Sequence, residues 1–324
     1  MDSFGRQVDY LRISVTDRCN ERCLYCMPEG YKGWESKPDH LTADEIIRVV
    51  RVAAGLGFRK FRLTGGEPLV RNDVPEIVRA MTAIPGVATV GLSTNGMKLA
   101  TLAQPLREAG LRTVNVSLDA LDSAIYHRIT GGDVTRVLAG IQAALAAGFE
   151  RVKLNCVLMR GVNEQEIWPL VLYAAEHDVP LRLIELMPVT TTEVLTEKNF
   201  LPCGEVMQML AQKDELIPQP DRKLGHGPAK YYLLKQTGAL VGFIGALTNE
   251  HFCEKCNKMR LTADGKVRPC LGNHVEVDLR GALRHGANDA VLKELLESAL
   301  RVKPLEHEFR KNYQPCRPMT AIGG

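Results

Sequence analysis

Six of the nine cysteines in this 324-residue chain fall into two triplets. Cys19, Cys23 and Cys26 lie in the run TDRCNERCLYCMP, spaced Cys-x3-Cys-x2-Cys, directly after a short apolar segment. Three thiolates in one tight loop can hold three irons of a [4Fe–4S] cube and leave the fourth iron without a protein ligand, open to chemistry. Three close cysteines also begin structural zinc sites, which recruit a fourth ligand; the nearest histidine, His40, lies well outside the loop. The tail repeats the arithmetic with Cys253, Cys256 and Cys270 in HFCEKCNKMRLTADGKVRPCLG, where Gly265 turns a hairpin that brings Cys270 back toward the first pair. A zinc ribbon completed by His251 or His274, and an iron–sulfur cluster with an open iron, both fit this second triplet. Cys156, Cys203 and Cys316 follow no pattern and read as core or surface thiols.

These loops need a scaffold, and the chain from residue 11 to 187 alternates β-rich runs with helical patterns. Six strands are expected at LRISVTD, KFRLTGG, TVGLSTNG, TVNVSLD, RVKLNCVLM and PLRLIELM. A helix over 42–56 opens with the capping box Thr42-Ala43-Asp44-Glu45, and another over 134–147 closes at Gly148. This alternation predicts βαβ units and a parallel sheet. Within the strands apolar residues alternate with polar ones: Leu11, Ile13 and Val15 against Arg12, Ser14 and Thr16; Phe61 and Leu63 against Arg62 and Thr64. The same holds for Val114 and Val116 against Asn115 and Ser117, and for Val152 and Leu154 against Lys153 and Asn155. A closed eight-stranded barrel fills its interior with branched apolar side chains. A polar, cation-bearing inner face predicts instead an incomplete (βα)6 TIM-like barrel, of the α/β class, with a ligand inside. Strand six fits less well, because Arg182 shares its face with Ile184 rather than with Glu185.

Arg12, Arg62, Lys153 and Arg182 in one lumen require counter-charges. An anionic ligand such as a triphosphate would supply them; the alternative is pairing with internal carboxylates such as Asp119 and Glu185, or snorkelling to solvent. Every special short motif falls just beyond a strand's carboxyl end, where parallel α/β folds place their sites. Gly65-Gly66-Glu67-Pro68 follows strand two, Ser93-Thr94-Asn95-Gly96 ends strand three, and Ser117-Leu118-Asp119 closes strand four. A Gly-Gly pair lets backbone approach a ligand closely, although it also serves ordinary strand-to-helix turns.

With Tyr25 before the third cysteine, the cysteine loop and the GGEP motif resemble the radical S-adenosylmethionine (SAM) superfamily. The resemblance implies a [4Fe–4S] cluster on Cys19, Cys23 and Cys26, whose open iron is chelated by the amino and carboxylate groups of SAM. Reductive cleavage then gives a 5′-deoxyadenosyl radical. It further implies SAM contacts from Gly66, Ser117 and Met187, with Tyr25 beside the adenine. The whole chain in order resembles the GTP 3′,8-cyclase family, through YLRISVTDRCNERCLYCMP, FRLTGGEPLVR, STNG, NVSLD, VKLNCVLMRGVN, RLIELMP, FCEKCNKMRLTADGKVRPCL and the terminal Gly323-Gly324. The implied reaction is abstraction of the ribose 3′ hydrogen of GTP and attack of that carbon on guanine C8. The implied second [4Fe–4S] cluster, on Cys253, Cys256 and Cys270, binds the guanine base.

Carried over by position, the GTP contacts are Arg12, Arg62, Ser93, Lys153, Lys258, Met259 (through its backbone) and Arg260, with Arg182 a further candidate lumen contact. Ser93 stands where the family has threonine, and Lys258 where it has arginine, which keeps the charge but loses the bidentate fork. The resemblance also implies that Gly323 and Gly324 reach into the active site. No side chain is expected as a general acid or base, since radical hydrogen abstraction needs none. The implied partners are an external one-electron reductant and a cyclic pyranopterin monophosphate synthase that takes the product. Monomer and homodimer stay open.

Size and composition agree. A 324-residue chain with 45% hydrophobic content can bury a substantial core, and a net charge of +3 gives no reason to expect nucleic acid or a membrane surface. No run of 18 apolar residues spans a bilayer, and MDSFGRQVDYLRIS lacks a signal-peptide core. Nine cysteines, mostly clustered, fit a reducing cytoplasm and metal ligation. A partial barrel over 1–225 is expected, followed by an auxiliary-cluster and GTP-binding segment over 226–324 that covers the open side. The rivals are a radical SAM peptide maturase, which would need a peptide-binding platform that about ten residues before strand one cannot supply, and a colourless zinc- or nucleic-acid-binding protein.

Overall fold

The computed structural model describes residues 1–27, 39–189, 196–222, 224–225, 227–311 and 313–323. All six expected strands form: β1 (Tyr10–Ser14), β2 (Lys60–Thr64), β3 (Thr89–Thr94), β4 (Thr113–Ser117), β5 (Arg151–Leu158) and β6 (Leu181–Glu185). They pair in parallel in sequence order, with α1 (Ala43–Gly55), α2 (Val74–Thr82), α3 (Leu99–Glu108), α4 (Ser123–Thr130), α5 (Val134–Ala146) and α6 (Ile167–Glu176) crossing between them. The outward face is the apolar one: Leu11, Ile13, Leu63, Leu92, Val114, Leu154 and Leu183 are fully buried against the helices. Helix α1 answers with Ile46, Val49, Val50 and Ala53 on one stripe, and starts at the expected capping box, Thr42 accepting from the Glu45 N–H while Glu45 accepts from that of Thr42. Helix α4, capped by Asp122 and ended by Gly131 in the left-handed region, buries Tyr126 under the first cysteine loop.

The carboxy-terminal segment does more than cover one side. After α7 (Cys203–Ala211) come β7 (Leu216–Pro218), β8 (Lys230–Leu234) and β9 (Leu240–Ile244), then β10 (Lys258–Leu261), β11 (Lys266–Arg268) and β12 (Val277–Asp278). Strand β9 pairs in parallel with β6, and β10 in parallel with β1, so this segment extends both edges of the six-stranded unit. Among the described residues the result is one open sheet in the order β12-β11-β10-β1-β2-β3-β4-β5-β6-β9-β8-β7. Helices α8 (Leu279–Arg284), α9 (Asp289–Arg301) and α10 (Met319–Ile322) complete the chain. Among the described residues no helix is long and apolar enough to cross a membrane.

Candidate functional site

The inner face of the sheet bounds a cavity of about 1290 Å³. That is larger than a site for one small ligand commonly needs. All six clustered cysteines line it. Topology fixes their levels. The first triad follows the carboxyl end of β1, whereas Cys256 precedes β10 and Cys270 follows β11, and β10 runs parallel to β1 with Tyr10 opposite Lys258. The two triads therefore sit at opposite ends of the lumen, separated by the length of β1, roughly 13 Å at 3.3 Å per residue.

The first cysteine loop is laced to its neighbours. Gly66 N–H donates to Thr16 O at 2.8 Å and Glu67 N–H to Arg18 O at 2.7 Å. A Cβ on Gly66 would lie 2.3 Å from Arg18 O, so the glycines admit the backbone of the cysteine loop itself. Glu67 turns inward and accepts from Thr94 Oγ1 (2.7 Å), Asn95 N–H (2.7 Å) and Leu69 N–H (2.9 Å), while Asn95 Nδ2 donates to Asn20 Oδ1 at 2.9 Å. Burial pushes the Glu67 carboxyl up to about 7, its hydrogen bonds opposing the rise. The GGEP and STNG motifs thus hold the loop as well as line the cavity. Tyr25, Gly66, Ser117 and Met187 all line it. The Tyr25 hydroxyl donates to Asp119 at 2.6 Å, and Asp119 also accepts from Val157 N–H at 2.8 Å.

The middle of the lumen is a layer of cations in register: Arg260 beside Arg12 beside Arg62, with Lys153 next to Asn115, and Arg182 next to Asn155. Arg62 reaches across β3 to donate to Thr113 Oγ1 (2.9 Å), and also to Tyr10 Oη (2.7 Å). Gly91 makes the room, because a Cβ there would lie 2.6 Å from the guanidinium. Lys258 lies over the Tyr10 ring, 5.8 Å from its centroid. Among the described residues no carboxylate forms an ion pair with any of Arg12, Arg62, Lys153, Arg182, Lys258 or Arg260. The two carboxylates proposed as internal partners are engaged elsewhere: Asp119 as above, and Glu185 at the carboxyl end of β6, where it accepts from the N–H groups of Cys203, Leu247 and Thr248. Burial, then Arg182, Arg62 and Arg151, pulls Lys153 down to about 6. Burial and then Arg12 bring Arg260 to about 9. Burial also brings Arg182 to about 10, Tyr231 opposing the drop and Arg62 adding to it. Side-chain atoms left without a partner cluster on the same wall: Arg12 Nε, Ser93 Oγ, Asn115 Oδ1, Asn155 Oδ1, and Arg182 Nε and Nη2. Unpaired cations and orphaned donors and acceptors on one wall are what a polyanionic nucleotide would satisfy.

Met259 differs from the other expected contacts, its side chain being fully buried in the core on the opposite face of β10 from Lys258 and Arg260. Gly323 is delivered to the site, its carbonyl accepting from Arg260 Nη1; Gly324 lies outside the described residues. Asn115 and Asn155 belong to the same wall, and the strand alternation that picked out Lys153 already marked them. At the second triad, burial disfavours the thiolates of Cys253, Cys256 and Cys270, and the backbone at His307, Lys258 and Gly272 respectively opposes it. Lys303 Nζ lies 3.5 Å from Cys256 Sγ. No motif singles out Lys303; it is a lone lysine past an amphipathic helix. His251 pairs with Glu254, and His274 faces Cys316, so neither completes a zinc site with the triad. Among the described residues no three metal-ligating side chains converge on one ion.

Both donor sets suit iron–sulfur ligation: three free cysteines each, on a cavity wall. Residues 13–174 match the radical SAM superfamily, and residues 179–309 match the family described as Molybdenum Cofactor Synthesis C. The crystal structure of Streptococcus suis SuiB bound to S-adenosylmethionine superposes with a TM-score of 0.63 at 16% identity, covering 90% of this chain and 68% of that one. Native anSMEcpe with bound AdoMet gives 0.60 at 16%, covering 93% and 82%. These likenesses show the fold. The GTP 3′,8-cyclase of Pelotomaculum thermopropionicum is 44% identical over all of this chain and 99% of its own length, and that of Moorella thermoacetica 45% over the same shares. With relatives this similar from end to end, and a radical SAM domain carrying the first cysteine loop, the chain belongs to the GTP 3′,8-cyclase family.

Proposed function

We propose that the lumen holds GTP between the two triads, guanine toward Cys253, Cys256 and Cys270 and triphosphate among the cations. The chain is a radical SAM enzyme, a lyase that converts GTP to (8S)-3′,8-cyclo-7,8-dihydroguanosine 5′-triphosphate, the first step of molybdenum cofactor biosynthesis. Substrate and product are isomers: the ribose C3′–H bond and the C8=N7 π bond are broken, the hydrogen leaving with 5′-deoxyadenosine, and C3′–C8 and N7–H bonds are made, the last with one electron from the external reductant and one proton. SAM and the cluster on Cys19, Cys23 and Cys26 supply, when bound, the 5′-deoxyadenosyl radical that this chemistry requires. The chain's own residues position and exclude. Gly66, Ser117, Met187 and Tyr25 hold SAM at the carboxyl ends of the strands. Arg12, Arg62, Lys153, Arg182 and Arg260 neutralise the triphosphate, Lys258 and the backbone at Met259 contact the nucleotide, and Ser93 offers a hydroxyl. Gly323 lies at Arg260, and the tail it belongs to, Gly323-Gly324, reaches toward the substrate. A second [4Fe–4S] cluster on the carboxy-terminal triad binds the guanine. An external one-electron reductant feeds the first cluster, a cyclic pyranopterin monophosphate synthase takes the product, and the enzyme works in the cytoplasm.

The observation that carries this reading is the lumen of six basic side chains that no carboxylate among the described residues pairs with, bracketed by two cysteine triads. The peptide-maturase alternative rests on likeness of fold alone, and a cationic lumen of this kind suits a triphosphate better than a peptide. The test is an anaerobic assay of reconstituted protein with SAM, dithionite and GTP, read by mass spectrometry. Formation of 5′-deoxyadenosine with a GTP-derived cyclic dihydronucleotide is expected. Cys19→Ser should abolish SAM cleavage, whereas Cys253→Ser should spare uncoupled SAM cleavage and stop GTP turnover. Normal cyclisation by the Cys253→Ser variant would make the second triad structural.

A further inference from the structure

Lys303 is buried, at 2% exposure, just past the end of α9. An ammonium has three donors and no acceptor, and here each donor has a target. Nζ donates to Pro269 O at 2.7 Å and to Lys258 O at 2.9 Å, and it points at Cys256 Sγ at 3.5 Å. The two carbonyls come one from each arm of the β10–β11 hairpin that carries Cys256 and Cys270. Carbonyls solvate a cation without neutralising it, and among the described residues no carboxylate forms an ion pair with Lys303. A buried ammonium in that position needs an anion, and the thiolates of the triad are what it faces.

Among the described residues Lys303 is the one cation in hydrogen-bond contact with a sulfur of this triad. Arg6 donates to Cys253 O (3.1 Å), Leu305 O (2.7 Å) and Pro304 O (2.6 Å), but its charge is cancelled by Asp2 at 2.6 Å. Lys258 and Arg260 also act on the triad's thiols through space, but Lys258 leans over Tyr10 into the lumen and Arg260 donates to the Gly323 carbonyl. We infer that Lys303 is the buried counter-charge of the second cysteine triad, and that it sets the reduction potential of the cluster this triad holds. The inference rests on the two-cluster reading above. Iron–sulfur potentials follow net charge and the hydrogen bonds to sulfur. Reduction adds an electron to an already anionic cluster, so a fixed positive charge beside Cys256 favours the reduced state and raises the potential. Lys303 acts through the cluster, as a positioning and electrostatic residue.

The experiment uses the full chain carrying Cys19→Ser, Cys23→Ser and Cys26→Ser, so that only the second triad can be loaded. Iron and sulfide are counted, and the midpoint is taken by redox titration followed by electron paramagnetic resonance. Lys303→Gln keeps a hydrogen-bond donor without the charge, and Lys303→Arg keeps the charge. In Lys303→Gln the reduced-to-oxidised ratio at the parent's midpoint should fall at least tenfold, about 59 mV for a one-electron couple. Lys303→Arg should stay closer to the parent. Loss of iron from Lys303→Gln alone also supports a counter-charge. An unmoved midpoint in Lys303→Gln overturns it, and so does equal displacement or equal loss of iron in both variants, which would make the lysine a packing element. If the parent takes up zinc instead of iron, the cluster reading is what fails. The counter-charge is then read in zinc affinity, which Lys303→Gln must weaken and Lys303→Arg must not.

Discussion

Lys153 offers a thermodynamic handle on the proposed triphosphate site. Burial, with Arg182, Arg62 and Arg151 nearby, holds its ammonium at a pKa of about 6 against an ordinary 10.5, and among the described residues it has no anionic partner. At pH 8 only about one molecule in a hundred therefore carries that charge before substrate arrives. A triphosphate among the cations reverses the balance and raises the pKa, so binding at pH 8 should take up close to one proton per GTP. Charging Lys153 at that pH costs on the order of 3 kcal/mol, two units at about 1.36 kcal/mol each. The sign follows from linkage: a group whose pKa rises on binding contributes fully below its free value, near pH 6, and loses that contribution as pH climbs toward the bound value. The Kd for GTP should rise about tenfold per pH unit between pH 7 and 9. Calorimetry of the anaerobic holoenzyme at pH 8, in two buffers of different protonation enthalpy, measures the uptake directly. Phosphate groups with a pKa of about 6 are already ionised there and contribute little. Lys153→Met should abolish the buffer dependence and weaken binding more at pH 6.5 than at pH 9. Buffer-independent heats in the wild type, or unchanged uptake in Lys153→Met, would show that Lys153 does not meet the triphosphate.

Gly66→Ala places a Cβ 2.3 Å from Arg18 O, backbone against backbone. The first cysteine loop must move, and iron in that site should fall by more than half while the second triad keeps its own; unchanged iron at both sites would refute the clash. Glu185→Gln presents an amide to the N–H groups of Cys203, Leu247 and Thr248. Loss of charge-assisted bonds at this fully buried position should cost about 2–4 kcal/mol in urea unfolding, and a change below 0.5 kcal/mol would count against it. Arg317 clasps Asp264 with both oxygens at 2.9 Å and Glu276 at 2.9 Å, just before α10 and Gly323. Arg317→Gln should speed amide exchange over 318–323 at least tenfold and lower GTP turnover while leaving iron content intact; unchanged exchange would show that the tail is held by other contacts.

The barrel was legible because its strands must separate an apolar face from a charged one, and a period of two in Leu11–Arg12–Ile13 or Val152–Lys153–Leu154 says so in the sequence. The cysteine loops were legible because ligation is local. What the pattern did not reveal is where the carboxy-terminal strands pair. Strand β10 is four residues long, and its partner β1 lies some 250 residues upstream, so no local signal encodes the register that sets Arg260 beside Arg12. Long-range burial hid the roles of Lys303 and Glu185 in the same way. Alternation from Arg182 already set Glu185 on the other face of β6, but only the structure shows that it bonds the loops at 203 and 247–248. The glycine pair illustrates a different gap. Sequence identifies a need for close approach, but not which surface approaches, and here the nearest is the cysteine loop.

Along the strand axis the site divides into a part suited to generating reactivity and a part suited to choosing what reacts. Under the proposed reading, selection of an anionic substrate comes from the cations on the inner face of the sheet, below the carboxyl ends of the strands. A closed barrel could not do this, since its interior would be filled by layers of its own side chains. An open sheet with both edges continued by the same carboxy-terminal segment can, because β9 and β10 satisfy the edge hydrogen bonds of β6 and β1 without sealing the lumen. That segment also carries Arg260, Lys258 and the second triad. If the proposed GTP site is right, edge protection and substrate choice reside in the same stretch of chain, and a change that disturbs the pairing of β10 with β1 should alter specificity before it alters the ability to cleave SAM.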